Sequence, residues 1–392
     1  MSASQNTTKI IYQALAKAEK TCGTPWVAFY TVPLPHLQIH FHQLLTILTA
    51  TACIISILLA LYLLWGHLFH WTKPHQQKQI VRIIVFIPVV QLCQLFSVWF
   101  YNASAYCQAW AEYYQGFGIT ALFLLYLALA TPDDPLHREH FFDNLQRLWH
   151  NGKAKGENGS LRWFRILCIM NFQVTLFRTA TCLATIFLWS FTCPLNKARQ
   201  YGFIVITVIQ GISTMIAVFS NILLERRLHE ELKPHRGTYK LWSFKAVVGL
   251  QATQNVIFSV LAEKSVFRPS PPFHISYMDF SVGIPNFMFS VEMLIVAGMF
   301  LHSMTFEPYL KQVRAGAEVH ATPVGALVRS FNTADIFQGL AYAMTPWATK
   351  RGHSFEVPEA EKGGVKLAEP GISTEATPDE AGVGDGQHGM DL

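Results

Sequence analysis

Seven long apolar runs recur along this 392-residue chain, and they constrain its fold more than any other feature. Each run is near the roughly 20 residues that an α-helix needs to cross the hydrocarbon core of a bilayer. The predicted spans are residues 43–65, 80–101, 113–131, 172–193, 201–224, 243–262 and 279–306. The pattern predicts an all-α polytopic membrane protein, a bundle of seven transmembrane helices.

The composition supports the same class. Hydrophobic residues make up 51% of the chain and charged residues only 14%, whereas soluble domains carry about 25% charged residues. The net charge of +5 is modest, and the basic residues are scattered among the loops. A nucleic-acid partner would call for a basic patch, so the bilayer is the expected partner instead.

The loop charges predict the orientation of the bundle. Lys and Arg gather in the first, third and fifth connections between spans, as in Arg226–Arg227, and the second connection has none. Because cytosolic loops carry the excess of Lys and Arg, the N-terminus is expected outside or in the lumen and the C-terminus in the cytosol. Residues 1–40 lack the apolar core of a signal peptide, so the first span is expected to act as its own signal.

The chain divides into four predicted segments. Residues 1–42 form a lumenal or extracellular N-terminal segment, 43–306 the membrane domain, 307–350 a cytosolic segment, and 351–392 a disordered acidic tail. The cytosolic segment contains a predicted amphipathic helix, with Thr333 as a plausible N-cap. Its apolar side consists of Ile336, Phe337, Leu340, Ala341 and Met344.

Glu292 is the only formal charge in the run from Phe280 to Phe306. A charge at the bilayer centre costs about 2.5–3.5 kcal/mol on insertion scales unless it is paired or hydrated. One interpretation is a carboxylate that binds a ligand, an ion or a proton. The other is structural: an ion pair, with Arg178 as the candidate partner, or a carboxyl kept neutral by burial.

Other polar residues recur at helical spacing inside the spans. The fourth span carries a stripe that includes Arg178, the fifth carries Gln210, Ser213 and Thr214, and the sixth carries Gln251 and Gln254. Polar faces in lipid must turn toward other helices or a water-filled cavity. For Arg178, and for Lys245 in the sixth span, the alternative is a side chain that snorkels to the cytosolic interface.

No enzyme motif is apparent. His36, His40 and His42 resemble a metal-binding spacing, but no acidic residue accompanies them, which favours an interfacial role. The chain also lacks a nucleophile–base motif and a phosphate-binding loop. We therefore expect no enzymatic activity, no metal and no cofactor.

Two covalent modifications are candidates on the predicted non-cytosolic side. Cys107 and Cys193 would join the start of the third span to the end of the fourth, in a compartment that permits disulfides, although sequence alone does not establish the pairing. Asn6 and Asn102 begin glycosylation sequons. Asn102 lies close to the membrane.

Three spans carry ordered motifs. The last span has an NF…EM…A…H…F…Y pattern, the second a P..Q..I.RI...P segment, and the sixth a K-AVV…Q stretch. The residues of these motifs are Asn286, Phe287, Glu292, Met293, Ala297, His302, Phe306 and Tyr309; Pro74, Gln77, Arg82, Ile83 and Pro88; and Lys245 to Val248 with Gln254. In this order they resemble the organic solute transporter subunit alpha family, which includes the transmembrane protein 184 group, over roughly residues 40–345.

The third span departs from the family pattern. Members often open it with Tyr-Glu-Ala-Phe, whereas this chain has Tyr114-Gln115-Gly116-Phe117. Glu112 stands nearby as a substitute for the missing acid.

The resemblance implies a transporter, or a transporter-like protein, for amphipathic organic solutes such as steroid or bile-acid-like anions and sterol derivatives. Facilitated diffusion is expected, because the sequence shows no nucleotide-binding domain. The candidate ligand site consists of Glu292, Arg178, Asn286, Gln254 and Lys245. The resemblance also implies a single-span partner subunit; a homo-oligomer is the alternative.

Other members of the family suggest an alternative function. In this second hypothesis the chain is a vacuolar or endomembrane adaptor that binds an autophagy-type ubiquitin-like protein through its C-terminal helix. Asp335, Ile336, Phe337 and Leu340 are the candidate partner-binding residues. The expected location is a vacuolar, endomembrane or plasma membrane.

Overall fold

The computed structural model describes residues 33–34, 38–131, 159–192, 197–235 and most of 238–344. Within the last range, 241, 244–248, 252, 255–256, 259–273 and 277 are not described. All regular structure in the described residues is helical, with no β-strand. The α-helices are α1 Phe41–Phe69, α2 Pro74–Trp99, α3 Ser104–Ala130, α4 Gly159–Phe191, α5 Lys197–Arg227, α6 His229–Leu232, α7 Ile284–Ser303, α8 Glu307–Arg314, α9 Pro323–Phe331 and α10 Ala334–Met344.

The chain is an integral multi-pass membrane protein. Among the described residues, six helices are long and apolar enough to cross a bilayer: α1 to α5, and α7 with the π-helical turn Asp279–Gly283 that precedes it. These confirm six of the predicted spans. The remaining one, residues 243–262, lies largely outside the described residues.

Proline and threonine mark several helix starts. Pro74 and Pro323 occupy the first turns of α2 and α9, where a missing N–H costs no helical hydrogen bond. The side chain of Thr322 accepts the N–H of Gly325 at 3.2 Å and caps α9. Pro88 lies inside α2 and leaves the carbonyl four residues before it without its helical partner.

The third helix occupies the centre of the bundle. It packs against α2, α4 and α5, and 78% of its most apolar stretch is buried, compared with 28% for α4 and 22% for α5. The outer faces of α4 and α5 expose large apolar side chains such as Phe191 and Met215. This distribution is expected of a helix surrounded by protein and of helices that face lipid.

Polar contacts define the two ends of the bundle. At one end, the Tyr101 hydroxyl between α2 and α3 donates to Asp279, which begins the last span, at 2.5 Å. At the other end, His67 at the close of α1 bonds the carbonyl of Met304 at 2.8 Å.

A buried amide joins three helices inside the bundle. The Gln91 side chain on α2 donates to the Ser56 hydroxyl of α1 at 2.7 Å and to the Ser290 carbonyl of α7 at 2.9 Å. The Ser290 hydroxyl donates back to Gln91 at 2.6 Å. All three side chains are buried, so the polar atoms of this group are satisfied within the protein.

The three C-terminal helices pack onto the bundle at the end where α1 closes and α2 begins. The Thr72 hydroxyl donates to Gln312 of α8 at 2.9 Å, and the His320 N–H donates to the Trp71 carbonyl at 2.9 Å. Helix α9 then packs on α1 and α2, and α10 packs on α4. The sequence predicted only α10 in this region. It did not predict α8 and α9, because both are short and depend on packing against the bundle.

We predict that Gln91→Leu destabilises the bundle. Interhelical hydrogen bonds in membranes contribute about 0.6 kcal/mol on average and up to about 1.7 kcal/mol. The loss of the three hydrogen bonds of the Gln91 side chain should lower the free energy of unfolding by about 1–3 kcal/mol. Thermal unfolding in detergent measures the change, and Leu92→Ala on the exposed side of α2 is the control. Equal stabilities of the two variants would contradict the role of Gln91.

Candidate functional site

A connected group of polar side chains runs through the bundle interior, and we call it the polar tract. Its members come from α3, α4, α7 and the partly described sixth predicted span, residues 243–262, which we call the sixth segment. They are Glu112, Gln115, Arg178, Gln251, Gln254 and Glu292.

Arg178 anchors one side of the polar tract. Its guanidinium forms an ion pair with Glu112 at 3.2 Å, and it donates to the Gln115 amide oxygen at 3.2 Å and to the Thr214 hydroxyl of α5 at 2.7 Å. The Arg178 Nε is buried without an acceptor among the described residues. The predicted alternatives for this residue, a pair with Glu292 or snorkelling to the interface, are both wrong, because Glu112 and Gln115 hold the guanidinium inside the bundle.

Gly116 makes room for this arrangement. A Cβ on Gly116 would lie 2.6 Å from Cγ of Arg178, a distance that real Cβ atoms do not tolerate. The stem of Arg178 therefore crosses α3 at a position where only a hydrogen projects. The Gly116 that replaces alanine in the family pattern has a steric reason.

The sixth segment joins the two sides of the tract. The Gln115 amide donates to Gln251 at 2.9 Å, and three residues later Gln254 donates to the Glu292 carboxylate. Residues three apart lie on the same face of a helix. The segment thus places Gln251 next to the Arg178 group and Gln254 next to Glu292.

Glu292 is half-buried, and one of its carboxylate oxygens has no partner among the described residues. Val291, next to Glu292, and Ile295, three residues further along α7, are exposed. Glu292 consequently lies where the bundle interior meets the outer surface of α7.

Polar side chains also form hydrogen bonds between α4 and α5. The Gln173 amide donates to the Ser213 carbonyl at 2.9 Å and accepts the Ser213 hydroxyl at 2.7 Å, and Gln210 donates to the Thr181 hydroxyl at 3.0 Å. The predicted inward stripe on the fifth span is therefore confirmed. These side chains satisfy one another, as expected of interhelical contacts in lipid.

The other predicted site residues lie elsewhere. Asn286 donates to the carbonyl of Val282 in its own helix at 2.6 Å and does not join the polar tract. Lys245 lies outside the described residues.

The candidate covalent modifications gain no support. Cys107 is a free thiol, and its proposed disulfide partner Cys193 lies outside the described residues. Asn102 is exposed in the short turn between α2 and α3, and Asn6 is not described.

A second charged group holds the C-terminal segment, and we call it the Arg82 clamp: Lys78, Gln79 and Arg82 of α2 with Asp335 of α10. Arg82 is fully buried and donates to both carboxylate oxygens of Asp335, at 2.7 and 2.8 Å. Gln79 donates to the same carboxylate at 2.7 Å, and the Lys78 ammonium lies 3.7 Å from it.

The clamp lowers the pKa of Asp335. Burial alone would raise this pKa, but the hydrogen bonds and charge of Arg82, with help from Lys78 and Gln79, outweigh burial and hold it below the ordinary value of 3.8. The carboxylate is therefore ionised at neutral pH.

Most of the predicted partner-binding face of α10 is occupied by the bundle. Asp335 is in the clamp, Ile336 is buried, and Leu340 packs against the core. Gly339 faces Phe172 of α4 so closely that a Cβ would meet the ring at 2.3 Å. Of the four predicted residues, only Phe337 is exposed, so the structure does not support a free partner-binding helix.

The sequence did not predict the hydrogen-bond acceptors of Arg82 and Arg178. Glu112 had been noted only as a substitute acid, and Arg82 only as a motif residue. A buried guanidinium needs acceptors for five N–H groups, so the signal was the presence of two arginines within apolar spans. The charged partners lie 66 and 253 positions away, Glu112 for Arg178 and Asp335 for Arg82, and spacing cannot identify such partners. No cluster of metal-binding side chains occurs in the described part of the chain.

The chain is similar in sequence to known proteins. The family model described as organic solute transporter Ostalpha matches residues 45–309, more than half of the chain. A transmembrane protein 184 homolog from Dictyostelium discoideum is 26% identical over 253 residues, which are 61% of this chain and 49% of the relative. The chain thus aligns with about half the length of that relative. No solved structure matches.

We predict that Glu112→Gln destabilises the protein, since it leaves the buried Arg178 charge uncompensated. Removal of one partner of a buried ion pair costs about 3–5 kcal/mol, and we expect about 3 kcal/mol because Gln115 and Thr214 remain. The free energy of unfolding in detergent measures this loss. In the double variant Glu112→Leu/Arg178→Met the stability should return to near that of the wild type. Additive losses in that double variant would contradict the pairing.

The clamp also predicts a pH dependence for α10. Because the docked carboxylate has the lower pKa, its contribution is complete above the ordinary value of 3.8 and is lost as the pH falls through the docked pKa. Spin labels on the exposed positions Leu92 and Phe337 should give one distance at pH 7 and pH 5, and a broad distribution well below pH 3.8. Broadening between pH 7 and pH 5 would show that another group holds α10.

Proposed function

Because this chain belongs to the organic solute transporter Ostalpha family, we propose that it moves amphipathic organic solutes across a membrane by facilitated diffusion. The solute class is sterol derivatives and steroid- or bile-acid-like anions. With the orientation expected from the loop charges, α8 to α10 lie on the cytosolic side.

The observation that carries this proposal is the polar tract. It presents two buried polar atoms without acceptors or donors among the described residues, Arg178 Nε and a Glu292 carboxylate oxygen. An unpaired buried polar atom costs about 1–3 kcal/mol. A polar group of a bound solute would recover that cost, which gives the tract an affinity for solutes with hydroxyl or amide groups.

The charges indicate which groups the tract suits. Glu112 already neutralises Arg178 at 3.2 Å, so Arg178 is not a free cation for an anion. Glu292 and the amides of Gln251 and Gln254 can accept and donate hydrogen bonds. We infer that the tract orients the hydroxyl groups of a steroid nucleus while its apolar body lies along α7.

Glu292 lies at the edge of the tract, beside the exposed surface of α7. An amphipathic solute would reach it from the lipid without crossing the bundle core. Lys245 and Asn286 remain candidate residues for the path of the solute.

We predict that Glu292→Gln lowers solute flux at least about tenfold, equivalent to about 1.4 kcal/mol. The reason is the replacement of a carboxyl oxygen by an amide group at the point of entry. Uptake of a radiolabelled steroid sulfate into vesicles that contain the purified chain measures the flux. Val291→Ala, at the neighbouring position on α7, is the matched control and should transport normally. Equal flux in Glu292→Gln and the control would remove Glu292 from the path, and absence of flux in the wild type would overturn the proposed function.

A further inference from the structure

Lys78, Gln79 and Arg82 form an oxyanion-binding surface on α2, which we call the cradle. In the structure the cradle holds the carboxylate of Asp335 with three hydrogen bonds, two from Arg82 and one from Gln79, at 2.7 to 2.8 Å. The two oxygens of Asp335 bond separate guanidinium nitrogens, which is the bidentate geometry that arginine offers to carboxylates and phosphates.

The acceptors of Arg82 come almost entirely from the C-terminal segment. The guanidinium donates to Asp335, to the carbonyl of Asn332 and to the carbonyl of Ser330, the last at 2.7 Å. The remaining donor serves Gln79 at 2.8 Å. When the segment leaves, Arg82 loses four of its five acceptors, and a buried charge without acceptors is costly.

The positive charge of the cradle favours an anion. Two cations, Arg82 and Lys78, face the Asp335 carboxylate at 2.7 and 3.7 Å. A solute carboxylate or sulfate would therefore be attracted to the vacated cradle, and it has enough oxygens to accept the same bonds.

Aromatic side chains support Arg82 from the bundle side. The Arg82 guanidinium carbon lies 5.3 Å from the centre of the Phe117 ring. Tyr114 packs against both Phe86 and Phe117. Phe86 and Phe117 are buried in the core, so an anion would reach Arg82 from the side that Asp335 occupies.

We propose that the cradle is the binding site for the carboxylate or sulfate group of an amphipathic anion, and that Asp335 is a tethered competitor which occupies this site when α10 is docked. This inference rests on the proposed function only for the identity of the ligand as a transported solute. Binding to the cradle and transport through the bundle are separate measurements.

Competition has a quantitative consequence. If the cradle is open in only a fraction of molecules, the apparent affinity for the anion is the intrinsic affinity reduced by that fraction. Changes that undock α10 should therefore tighten anion binding. Changes that remove the cradle cation should abolish it whether or not α10 is docked.

The experiment uses the full chain in nanodiscs of phosphatidylcholine, with cholate as the probe and its uncharged methyl ester as the matched control. Hydrogen exchange reports on residues 330–344, and binding of labelled cholate gives the affinity. Cholate should increase exchange in this segment, and the methyl ester should leave it unchanged.

Four variants separate competition from damage to the fold. Asp335→Ala removes the competitor, and Gly339→Ala pushes α10 away from Phe172 while leaving the cradle intact; both should bind cholate at least tenfold more tightly than the wild type. Phe337→Ala, on the exposed side of α10, should bind like the wild type. Arg82→Gln combined with Asp335→Ala should lose binding.

Three results would overturn the proposal: unchanged cholate affinity in both Asp335→Ala and Gly339→Ala, equal effects of cholate and its methyl ester, or an undocked α10 in discs that contain phosphatidylserine without cholate. The last would identify a lipid headgroup as the occupant. Competitive binding in a chain that shows no flux would support the cradle and refute transport. Flux without competitive binding would support transport and refute the cradle as the anion site.

Discussion

A guanidinium buried inside a membrane protein must find acceptors for five N–H groups, because lipid supplies none. Arg82 meets this requirement through a segment more than two hundred residues away in sequence, 330–335. The position of the C-terminal helices follows from that constraint. Helix α9 ends where its last carbonyls reach Arg82, and α10 begins where Asp335 can close the ion pair.

The two buried arginines have different surroundings. All the donors of Arg82 are satisfied, and four of its hydrogen bonds go to one segment, 330–335. Arg178 is held by three side chains from two helices, α3 and α5, and keeps one unpaired donor. The first arrangement is suited to an exchange of one occupant for another. The second is suited to a fixed site, in which α3, α4 and α5 hold their positions while a solute binds.

This difference separates two tasks within one bundle. Glu112 neutralises Arg178, so the polar tract offers hydrogen bonds with little excess positive charge. In the cradle, by contrast, Arg82 and Lys78 already hold an anionic group, the carboxylate of Asp335. A solute with hydroxyl groups at one end and an anionic group at the other would find complementary chemistry in both places.

The sequence predicted the helices better than the contacts between them. Hydropathy alone located α1 to α5 and α7, because spans of about 20 apolar residues have few alternatives in a bilayer. The helix at Thr333–Met344 was also anticipated, within one residue of α10. The direction of its faces was not: the family resemblance implied a surface for a partner, whereas Asp335 and Ile336 turn to the bundle. Likewise Glu292 was recognised as an unusual charge, but its contact with Gln254 depends on how the sixth segment packs, which no local pattern records.

The most direct test of the central claim is the hydrogen exchange of residues 334–344 in the wild type and in Arg82→Gln, measured in the same nanodiscs at neutral pH. If Arg82 holds the C-terminal segment, exchange of these amides in the variant should rise toward that of an undocked helix, while the amides of α3 stay protected. Equal protection of 334–344 in both proteins would show that α10 docks without the Arg82–Asp335 pair and would contradict the account.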